Sequence, residues 1–265
     1  IVGISLNSPY VLIAKRLTEL LKKHTSATVV WGGVGPTISP NDHIKLTDVI
    51  CLGEGERALE ELVIAIRDGK DYKNIKNLWI NDGSEVIKNS QGPLIQDLDN
   101  LPFAEYGSED MYFIEHNKLS KEDPELDHHV LYLQSSRGCP YSCSFCIETM
   151  YHDMNKGLGK FVRRRSVDNI IKEINLHRNR PGNRKKRIYF LDEVFGSAPG
   201  FIDEFAPKYK KEVGLPFDVL YHPKSLKLRV IDRLVEAGVK EINFGIQTGS
   251  DKIRNDVFTR PGSNA

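Results

Sequence analysis

Three of the chain's four cysteines lie within one short stretch, Gly138–Cys146, at the spacing C-x3-C-x2-C. Cys139, Cys143 and Cys146 follow directly after an apolar run, Val130–Leu133. Thiolates this close together on one loop can all reach a single centre, and three thiolates at one centre indicate a metal site. This stretch constrains the fold more than any other, because the rest of the chain has to hold the loop in place.

The spacing alone leaves the identity of the metal open. A structural zinc site needs four ligands, commonly as two close pairs, and only Cys143 and Cys146 have that pair spacing. A histidine could supply a further zinc ligand, from His128, His129 or His152. A [4Fe–4S] cluster normally takes four cysteines. Three cysteines would leave one iron open, and an open metal position is typical of chemistry rather than of scaffolding.

The composition excludes several classes of protein. Lys and Arg number 37 against 36 Asp and Glu, so no overall charge points to nucleic acid or to a membrane surface. No apolar run approaches the ~20 residues of a membrane span, and the chain does not start with a signal segment. Four cysteines, three of them clustered, do not form a disulfide framework. We therefore expect a reducing, cytoplasmic setting.

Residues 1–95 alternate short apolar runs with helical patterns, which is typical of a parallel α/β sheet. The predicted strands are Val2–Leu6, Thr28–Trp31 and Val49–Leu52, followed by a hairpin around Asp82-Gly83. A first predicted helix carries an apolar stripe at Ile13, Leu17, Leu20 and Leu21. A second carries Leu59, Leu62, Val63 and Ile66. The helical spacing predicts that both stripes pack against the sheet.

Glycines follow two of these predicted strands, at Gly32-Gly33 and at Gly53 and Gly55. At the carboxyl edge of an open α/β sheet, glycines let a ligand approach the backbone closely. The fingerprint G-x-G-x-x-G is not satisfied after Gly33, so a dinucleotide site is not predicted. From these residues alone, a ligand slot and a tight strand-to-helix turn both stay open.

From Val130 onward the chain again reads as β/α units. The predicted strands are Val130–Gln134, Arg187–Leu191, Phe217–Tyr221 and Glu241–Ile246. Ser166 is a suitable N-cap for a helix with Val167, Ile170, Ile171 and Ile174 on one face, and Gly238 ends a helix over 228–237. An eight-unit barrel takes ~250 residues, so residues 130–265 correspond to about four units of a partial β/α barrel. Residues 96–129, rich in Asp, Glu, Asn and Pro, are predicted to be a linker.

Chemically useful side chains follow each of the four predicted strands. They are the three cysteines, Asp192-Glu193, His222 with Lys224, and Gln247–Ser250. Barrel enzymes carry their chemistry at the carboxyl ends of the strands, so we expect these groups to face one mouth. A surface turn or an ordinary hydrogen-bonded side chain is the alternative for each group after the cysteines, and we assign no catalytic residue.

The cysteine spacing, with Phe145 before the last cysteine, resembles the C-x3-C-x-aromatic-C signature of the radical S-adenosylmethionine (radical SAM) enzymes. Ser135–Gly138 and Pro140 extend the resemblance. The resemblance implies a [4Fe–4S] cluster, whose open iron chelates S-adenosylmethionine. The implied ligands of the cluster are Cys139, Cys143 and Cys146.

The same resemblance implies roles for four further residues. Asp192 and Glu193 would accept hydrogen bonds from the methionine ammonium. Gln247 would contact the ribose or the methionine part of the cofactor, and Phe145 would stack near its adenine.

The stretch from Val2 to Glu56 resembles the cobalamin-binding domain that precedes many radical SAM cores. The matching pieces are Val2–Ser5, the turn Gly32-Gly33…Pro36-Thr37, and Gly53–Glu56. The resemblance implies that Ser5, Gly32 and Gly33 line the slot for the cofactor's nucleotide tail. Because the family's first motif and its later barrel strands are absent from this chain, we expect it to be a piece of a longer protein.

The resemblance implies an enzyme that cleaves S-adenosylmethionine reductively, with electrons from a donor such as flavodoxin or ferredoxin. Its commonest outcome is cobalamin-dependent C-methylation, with rearrangement and cyclisation also known, and the sequence does not identify the substrate. One alternative is a methylthiotransferase acting on tRNA or protein, which Gln247–Ser250 partly resembles, although such proteins usually carry a second cysteine trio. The other is a non-enzymatic, zinc-stabilised corrinoid-binding module.

Overall fold

The computed structural model describes residues 1–107, 110–180, 183–260 and 262. The chain divides into two compact units. Unit 1 is Ile1–Ile95 with Asn155–Gly159, and unit 2 is Gln96–Met154 with Lys160–Ala265. The segment 96–129, which the sequence analysis interprets as a linker, thus belongs to unit 2 by its contacts. One of those contacts is the backbone N–H of Ser166 donating to the Asp99 carboxylate at 2.9 Å.

Unit 1 is built on a five-stranded sheet in the order β1-β2-β3-β4-β5. The strands are β1 Val2–Ser5, β2 Val29–Gly32, β3 Val49–Cys51, β4 Leu78–Asn81 and β5 Val86–Lys88. The first three are parallel, and the last two add an antiparallel hairpin. The helices are α1 Val11–His24, α2 Val34–Ile38, α3 Pro40–His43 and α4 Glu56–Arg67. The predicted parallel α/β sheet is confirmed.

Helices cover both faces of this sheet because successive side chains of a strand point to opposite faces. Val29 and Trp31 pack in a cluster with Ala14 of α1, whereas Val30 packs in a second cluster with Leu62 of α4. Leu62 is fully buried, and burying a side chain of this size contributes about 2 kcal/mol.

The predicted apolar stripe of α1 is wrong for three of its four residues. Ile13, with 66% of its surface accessible, is exposed, and so are Leu17 and Leu20; Leu21 packs on the core. The helix instead turns Ala14 and Thr18 toward the sheet, where Trp31 Nε1 donates to Thr18 Oγ1 at 2.8 Å. Small residues on that face allow the helix to approach the indole, and the hydrogen bond satisfies a polar group that burial would otherwise destabilise.

The stripe of α4 is partly correct. Leu62 is buried and Ile66 packs against the core, but Leu59 and Val63 are exposed. The other buried residues of this helix are Ala58 and Ala65. As in α1, alanine lies where the helix is closest to the sheet.

Unit 2 contains a four-stranded, fully parallel sheet together with a hairpin and a two-residue ladder. Its strands are β6 Phe113–Glu115, β7 Lys118–Ser120, β8 Val130–Leu133, β9 Ser136–Arg137, β10 Arg163–Arg164, β11 Arg187–Phe190, β12 Phe217–Tyr221 and β13 Val239–Phe244. Its helices are α5 Pro124–Asp127, α6 Ile147–Met154, α7 Val167–Arg178, α8 Phe201–Glu212 and α9 Leu228–Ala237. The main sheet runs β8-β11-β12-β13, so the four predicted parallel strands are confirmed.

The core of unit 2 lies between this sheet and its helices. The stripe predicted for α7, Val167, Ile170, Ile171 and Ile174, is buried. The helix begins as predicted, since the Ser166 side chain accepts from the backbone N–H of Asn169. Gly238 ends α9 at φ 104°, a conformation that glycine adopts most easily. Helix α8, which the sequence analysis does not include, adds Phe201, Phe205 and Tyr209 to an aromatic core with Phe190 and Phe217.

None of the helices in the described parts of the chain has the length and apolar composition needed to cross a membrane.

Candidate metal centre and cofactor cavity

The cysteine loop begins with a turn that only glycine can make. Gly138 has φ 85°, and a Cβ atom at this position would lie 2.6 Å from the backbone oxygen of Phe161. A neighbouring anchor is Tyr141, whose ring stacks on His222 just after β12 with centroids 3.9 Å apart. Its hydroxyl also hydrogen-bonds Ser225 Oγ. The loop is therefore tied to the carboxyl end of β12.

Each of the three thiols in this loop receives one hydrogen bond. The backbone N–H of Tyr141 donates to Cys139, and that of Glu148 donates to Cys146. Arg260 Nη1 donates to Cys143 Sγ at 3.6 Å. All four cysteines are free of disulfides. For Cys139 and Cys146 this hydrogen bond lowers the pKa of the thiol, but burial has the larger effect and raises it. The thiolate is the form that binds metal.

The side chains are not closed around an ion. Within residues 1–107, 110–180, 183–260 and 262, no three His, Cys, Asp or Glu side chains are grouped closely enough to hold one. The histidines proposed as zinc ligands have other neighbours: His129 Nδ1 lies 3.1 Å from the Arg184 carbonyl, and the His152 ring packs on Phe161. Three soft sulfur donors on one loop fit an iron–sulfur cluster. Burial raises the pKa of Cys139 to about 11, so cluster binding must release protons.

Glu148 is a site residue that the sequence pattern does not predict. It lies in the first turn of α6, is only 8% exposed, and accepts the backbone N–H of Cys139. Its Oε2 has no hydrogen-bond partner among the residues that the structure describes. Loss of solvation, followed by the charge of Glu193, raises the pKa of Glu148 to about 7. Its position two residues after Cys146 was the only signal in the sequence.

Asp192 occupies the carboxyl end of β11 and is fully buried. Its oxygens accept the Ser135 backbone N–H at 3.0 Å, Ser135 Oγ at 2.7 Å, and Ser136 Oγ. Burial raises the pKa of this carboxyl, although all three hydrogen bonds act against the shift. The chain's own donors thus bond this carboxylate and join β11 to the segment leading into the cysteine loop; its contact with the methionine ammonium stays a prediction.

The other predicted cofactor residues are differently placed. Glu193 is exposed and interacts electrostatically with Cys139, Cys146 and Glu148. Phe145 is 49% exposed and meets the Phe258 ring edge-on at 5.0 Å, so it is not a core aromatic. Gln247 is exposed, beyond β13, and has φ 67°. Glu193 thus acts on two of the cysteines through its charge, and Phe145 and Gln247 lie on accessible surface.

Acid is expected to destabilise unit 2 through His222. This ring is buried, and its pKa falls from 6.5 to about 4 because of lost solvation and then the charges of Arg260 and Lys224. Because the folded protein favours the neutral ring, the free energy of unfolding has its full value above pH 6.5. It decreases as the pH falls through 4, since the ring then has to be protonated inside the fold. The loss amounts to about 3 kcal/mol.

Urea denaturation of the metal-free protein at pH 7 and pH 4 measures this effect. His222→Asn keeps an acceptor for the Lys224 N–H, which His222 Nδ1 accepts at 3.2 Å, but does not titrate. It should lose less stability than the unmodified protein. His24→Asn, at an exposed position of unit 1, should behave like the unmodified protein. Equal acid losses in all three proteins would contradict the assignment.

Unit 1 contains a cavity of about 380 Å³ that includes all three residues predicted to line a cofactor slot, Ser5, Gly32 and Gly33. Glycine dominates its wall, with Gly3, Gly53 and Gly55 as the further contributors. The cavity lies at the carboxyl ends of β1, β2 and β3, and its volume is in the range of small-molecule sites. Cobalamin's nucleotide tail fits a slot of this kind, because any larger side chain at these positions would fill it.

Replacing Gly33 with alanine is expected to destabilise unit 1 by about 2 kcal/mol. Gly33 has φ 93°, and its Cβ would lie 2.8 Å from the backbone oxygen of Leu6. Gly3→Ala is the matched control, because a Cβ there meets nothing within 4 Å. Thermal unfolding followed by circular dichroism measures both. A Gly33→Ala protein as stable as the Gly3→Ala control would mean that the turn relaxes freely.

Comparison with protein families gives one match for the cysteine loop of unit 2 and one for the cavity of unit 1. The model of the Radical SAM superfamily matches residues 133–264, and that of the B12 binding domain matches residues 1–63. The chain belongs to the radical SAM superfamily. The first match contains the cysteine loop, and the second contains Ser5 and the double glycine of the cavity.

Relatives of this radical SAM protein include several methyltransferases. It is 26% identical to an uncharacterized methyltransferase of Pyrococcus horikoshii, over 96% of this chain and 52% of the relative. It is also 26% identical to the bacteriochlorophyllide d C-12(1)-methyltransferase of Chlorobaculum tepidum, over 86% of this chain and 46% of that protein. The chain therefore spans about half the length of these curated relatives.

The fold of the radical SAM methyltransferase TsrM from Kitasatospora setae is similar to that of this chain. The TM-score is 0.76 at 17% identity, and the match covers 99% of this chain and 52% of TsrM. At this identity the likeness concerns the fold alone.

Proposed function

We propose that this protein belongs to an enzyme that uses a [4Fe–4S] cluster to cleave S-adenosylmethionine reductively and so begin radical chemistry. The outcome is cobalamin-dependent C-methylation, or a related rearrangement or cyclisation, of a substrate still to be identified. The observation that carries the proposal is the cysteine loop, with three free thiols that each receive a hydrogen bond, tied to the carboxyl end of β12. The methyltransferase relatives support methyl transfer over the transfer of a methylthio group.

The residues of unit 2 have distinct tasks in this proposal. Cys139, Cys143 and Cys146 hold the cluster, which when bound supplies the electron for cleavage of the cofactor's sulfonium. Glu193, which is exposed and interacts electrostatically with two of these thiols, accepts hydrogen bonds from the methionine ammonium. Asp192 supports it indirectly, because its hydrogen bonds to Ser135 and Ser136 fix the approach to the loop.

Two accessible residues complete the proposed S-adenosylmethionine contacts. Phe145, which is 49% exposed, offers its ring to the adenine. Gln247 offers an amide to the ribose or methionine part, from the carboxyl end of β13. Both side chains are exposed, so a ligand can contact them without any rearrangement of the buried side chains.

In unit 1, the glycine-lined cavity takes the nucleotide tail of cobalamin. Ser5 and the backbone at Gly32 and Gly33 form part of its wall. Because glycine has no side chain, a bulky group has room to lie against the edge of the sheet. An electron donor such as flavodoxin or ferredoxin, and a cytoplasmic setting, belong to the same proposal. The near-neutral charge of the chain gives no support for a nucleic-acid substrate.

Anaerobic reconstitution tests the proposal most directly. The protein is loaded with iron and sulfide, mixed with S-adenosylmethionine and reduced with dithionite, and 5′-deoxyadenosine is measured by mass spectrometry. Formation of 5′-deoxyadenosine that requires both reductant and cluster supports the reductive cleavage. A protein that carries a cluster and yields none contradicts it. Equilibrium dialysis against hydroxocobalamin tests unit 1 separately.

A further inference from the structure

The side chain of Arg260 connects two parts of unit 2 that are far apart in the sequence. Its Nη2 donates to the Gly245 carbonyl at 2.8 Å, immediately beyond β13. Its Nη1 donates to Cys143 Sγ at 3.6 Å. The guanidinium therefore lies between the end of the fourth parallel strand and the middle cysteine of the loop.

Several contacts fix the segment that carries this arginine. The backbone N–H of Arg260 donates to the Arg254 carbonyl at 3.0 Å. On either side of Cys143, Thr259 Oγ1 donates to the Ser142 carbonyl at 2.9 Å, and the Ser144 N–H donates to the Phe258 carbonyl at 3.0 Å. The segment is thus bonded to both neighbours of Cys143, which leaves the guanidinium little freedom to move away from the sulfur.

Among the described residues, no carboxylate forms an ion pair with Arg260. In the part of the chain that the structure describes, its guanidinium is half-buried and bonds only a carbonyl and a thiol. Its field reaches neighbouring groups, since it helps to lower the pKa of His222. An arginine stays protonated at all working pH values. The Cys143 sulfur, once it is a thiolate, is therefore the anion that this cation contacts.

We propose that Arg260 is a positioning residue that orients the Cys143 sulfur and raises the reduction potential of the cluster held by the three cysteines. This inference rests on the cluster binding proposed above. A hydrogen bond from a cation to a thiolate is among the stronger kinds. Reduction adds negative charge to the cluster, and hydrogen bonds to the ligating sulfurs are among the factors that set its potential. The cation therefore stabilises the reduced state more than the oxidised state.

The test is a redox titration of the reconstituted cluster, followed by electron paramagnetic resonance without S-adenosylmethionine. Arg260→Gln removes the charge and keeps a hydrogen-bond donor, whereas Arg260→Lys keeps the charge. Lys252→Gln removes an exposed cation of the same terminal segment and is the control. At a fixed potential, Arg260→Gln should lower the ratio of reduced to oxidised cluster about tenfold, or about 59 mV for one electron. Arg260→Lys should lie between it and the unmodified protein, and Lys252→Gln should match the latter.

The outcomes separate this inference from the function on which it rests. If the unmodified protein binds no cluster, the proposed function fails first. If the cluster binds but its potential is the same in all four proteins, Arg260 does not tune it. Loss of the cluster from both Arg260 variants, with unchanged circular dichroism, would also overturn the tuning role, because it would reduce Arg260 to a structural brace. The proposal is supported if the reduction potential is lower in Arg260→Lys than in the unmodified protein, and lower still in Arg260→Gln.

Discussion

Alanine at Cys139, Cys143 or Cys146 is expected to abolish cluster loading. Each substitution removes one of three proposed sulfur ligands, and the described His, Cys, Asp and Glu side chains include no other ready-made group that could replace it. Altering even a group that only supports a ligand costs about 10–100-fold in metal affinity, so loss of a ligand should cost at least as much. Iron and sulfide content after anaerobic reconstitution, with the visible absorbance of the cluster, measures the effect.

Cys51→Ala is the matched control for the three cysteine substitutions. Cys51 is a buried core residue of unit 1, and burial, followed by the charge of Glu56, raises the pKa of its thiol to about 11. It should therefore keep the full cluster content. Equal iron in the control and the three variants would contradict the ligand assignment. Zinc without sulfide would favour a zinc-stabilised module, and about eight irons per chain would favour a methylthiotransferase with two clusters.

The features that the sequence predicts correctly depend on neighbours in the chain. The spacing of the three cysteines is also a local pattern, but the metal loop that it indicates stays a prediction. The stripe from Val167 to Ile174 and the cap at Ser166 are likewise local patterns, and both occur as predicted. Gly238 ends its helix as predicted, because the position of a C-terminal glycine is again a local pattern. Four parallel strands follow from this regular alternation of apolar runs and helices.

The features that the sequence does not predict depend on distant partners. Helix α1 turns Thr18 rather than its predicted apolar stripe toward the sheet, where Thr18 accepts the hydrogen bond from Trp31. The periodicity of the helix itself does not indicate this contact. Asp192 is recognisable as a carboxylate after a strand, but its use by Ser135 and Ser136 is visible only in the fold. Arg260 lies more than a hundred residues after Cys143, so nothing in the spacing of the motif pointed to it.

Replacing Asp192 with alanine is expected to destabilise unit 2 by about 4 kcal/mol. The substitution leaves three donors without an acceptor, namely the buried N–H and hydroxyl of Ser135 and the half-buried hydroxyl of Ser136. Each unsatisfied buried group costs about 1–3 kcal/mol, partly relieved where water can enter. Urea denaturation of the metal-free protein at pH 7 measures the change. The same loss should loosen the start of the cysteine loop and lower the cluster content of the protein that still folds.

Asp203→Ala provides the control, because it removes an aspartate from the same unit without removing a buried acceptor. Asp203 bonds Arg229 at 2.8 Å on the surface, where the two side chains are 46% and 75% exposed. Exposed ion pairs contribute only about 0–1 kcal/mol, so this variant should stay close to the unmodified protein. A cost for Asp192→Ala as small as that of Asp203→Ala would mean that water replaces the carboxylate. The hydrogen bonds of Asp192 would then not be what joins β11 to the cysteine loop.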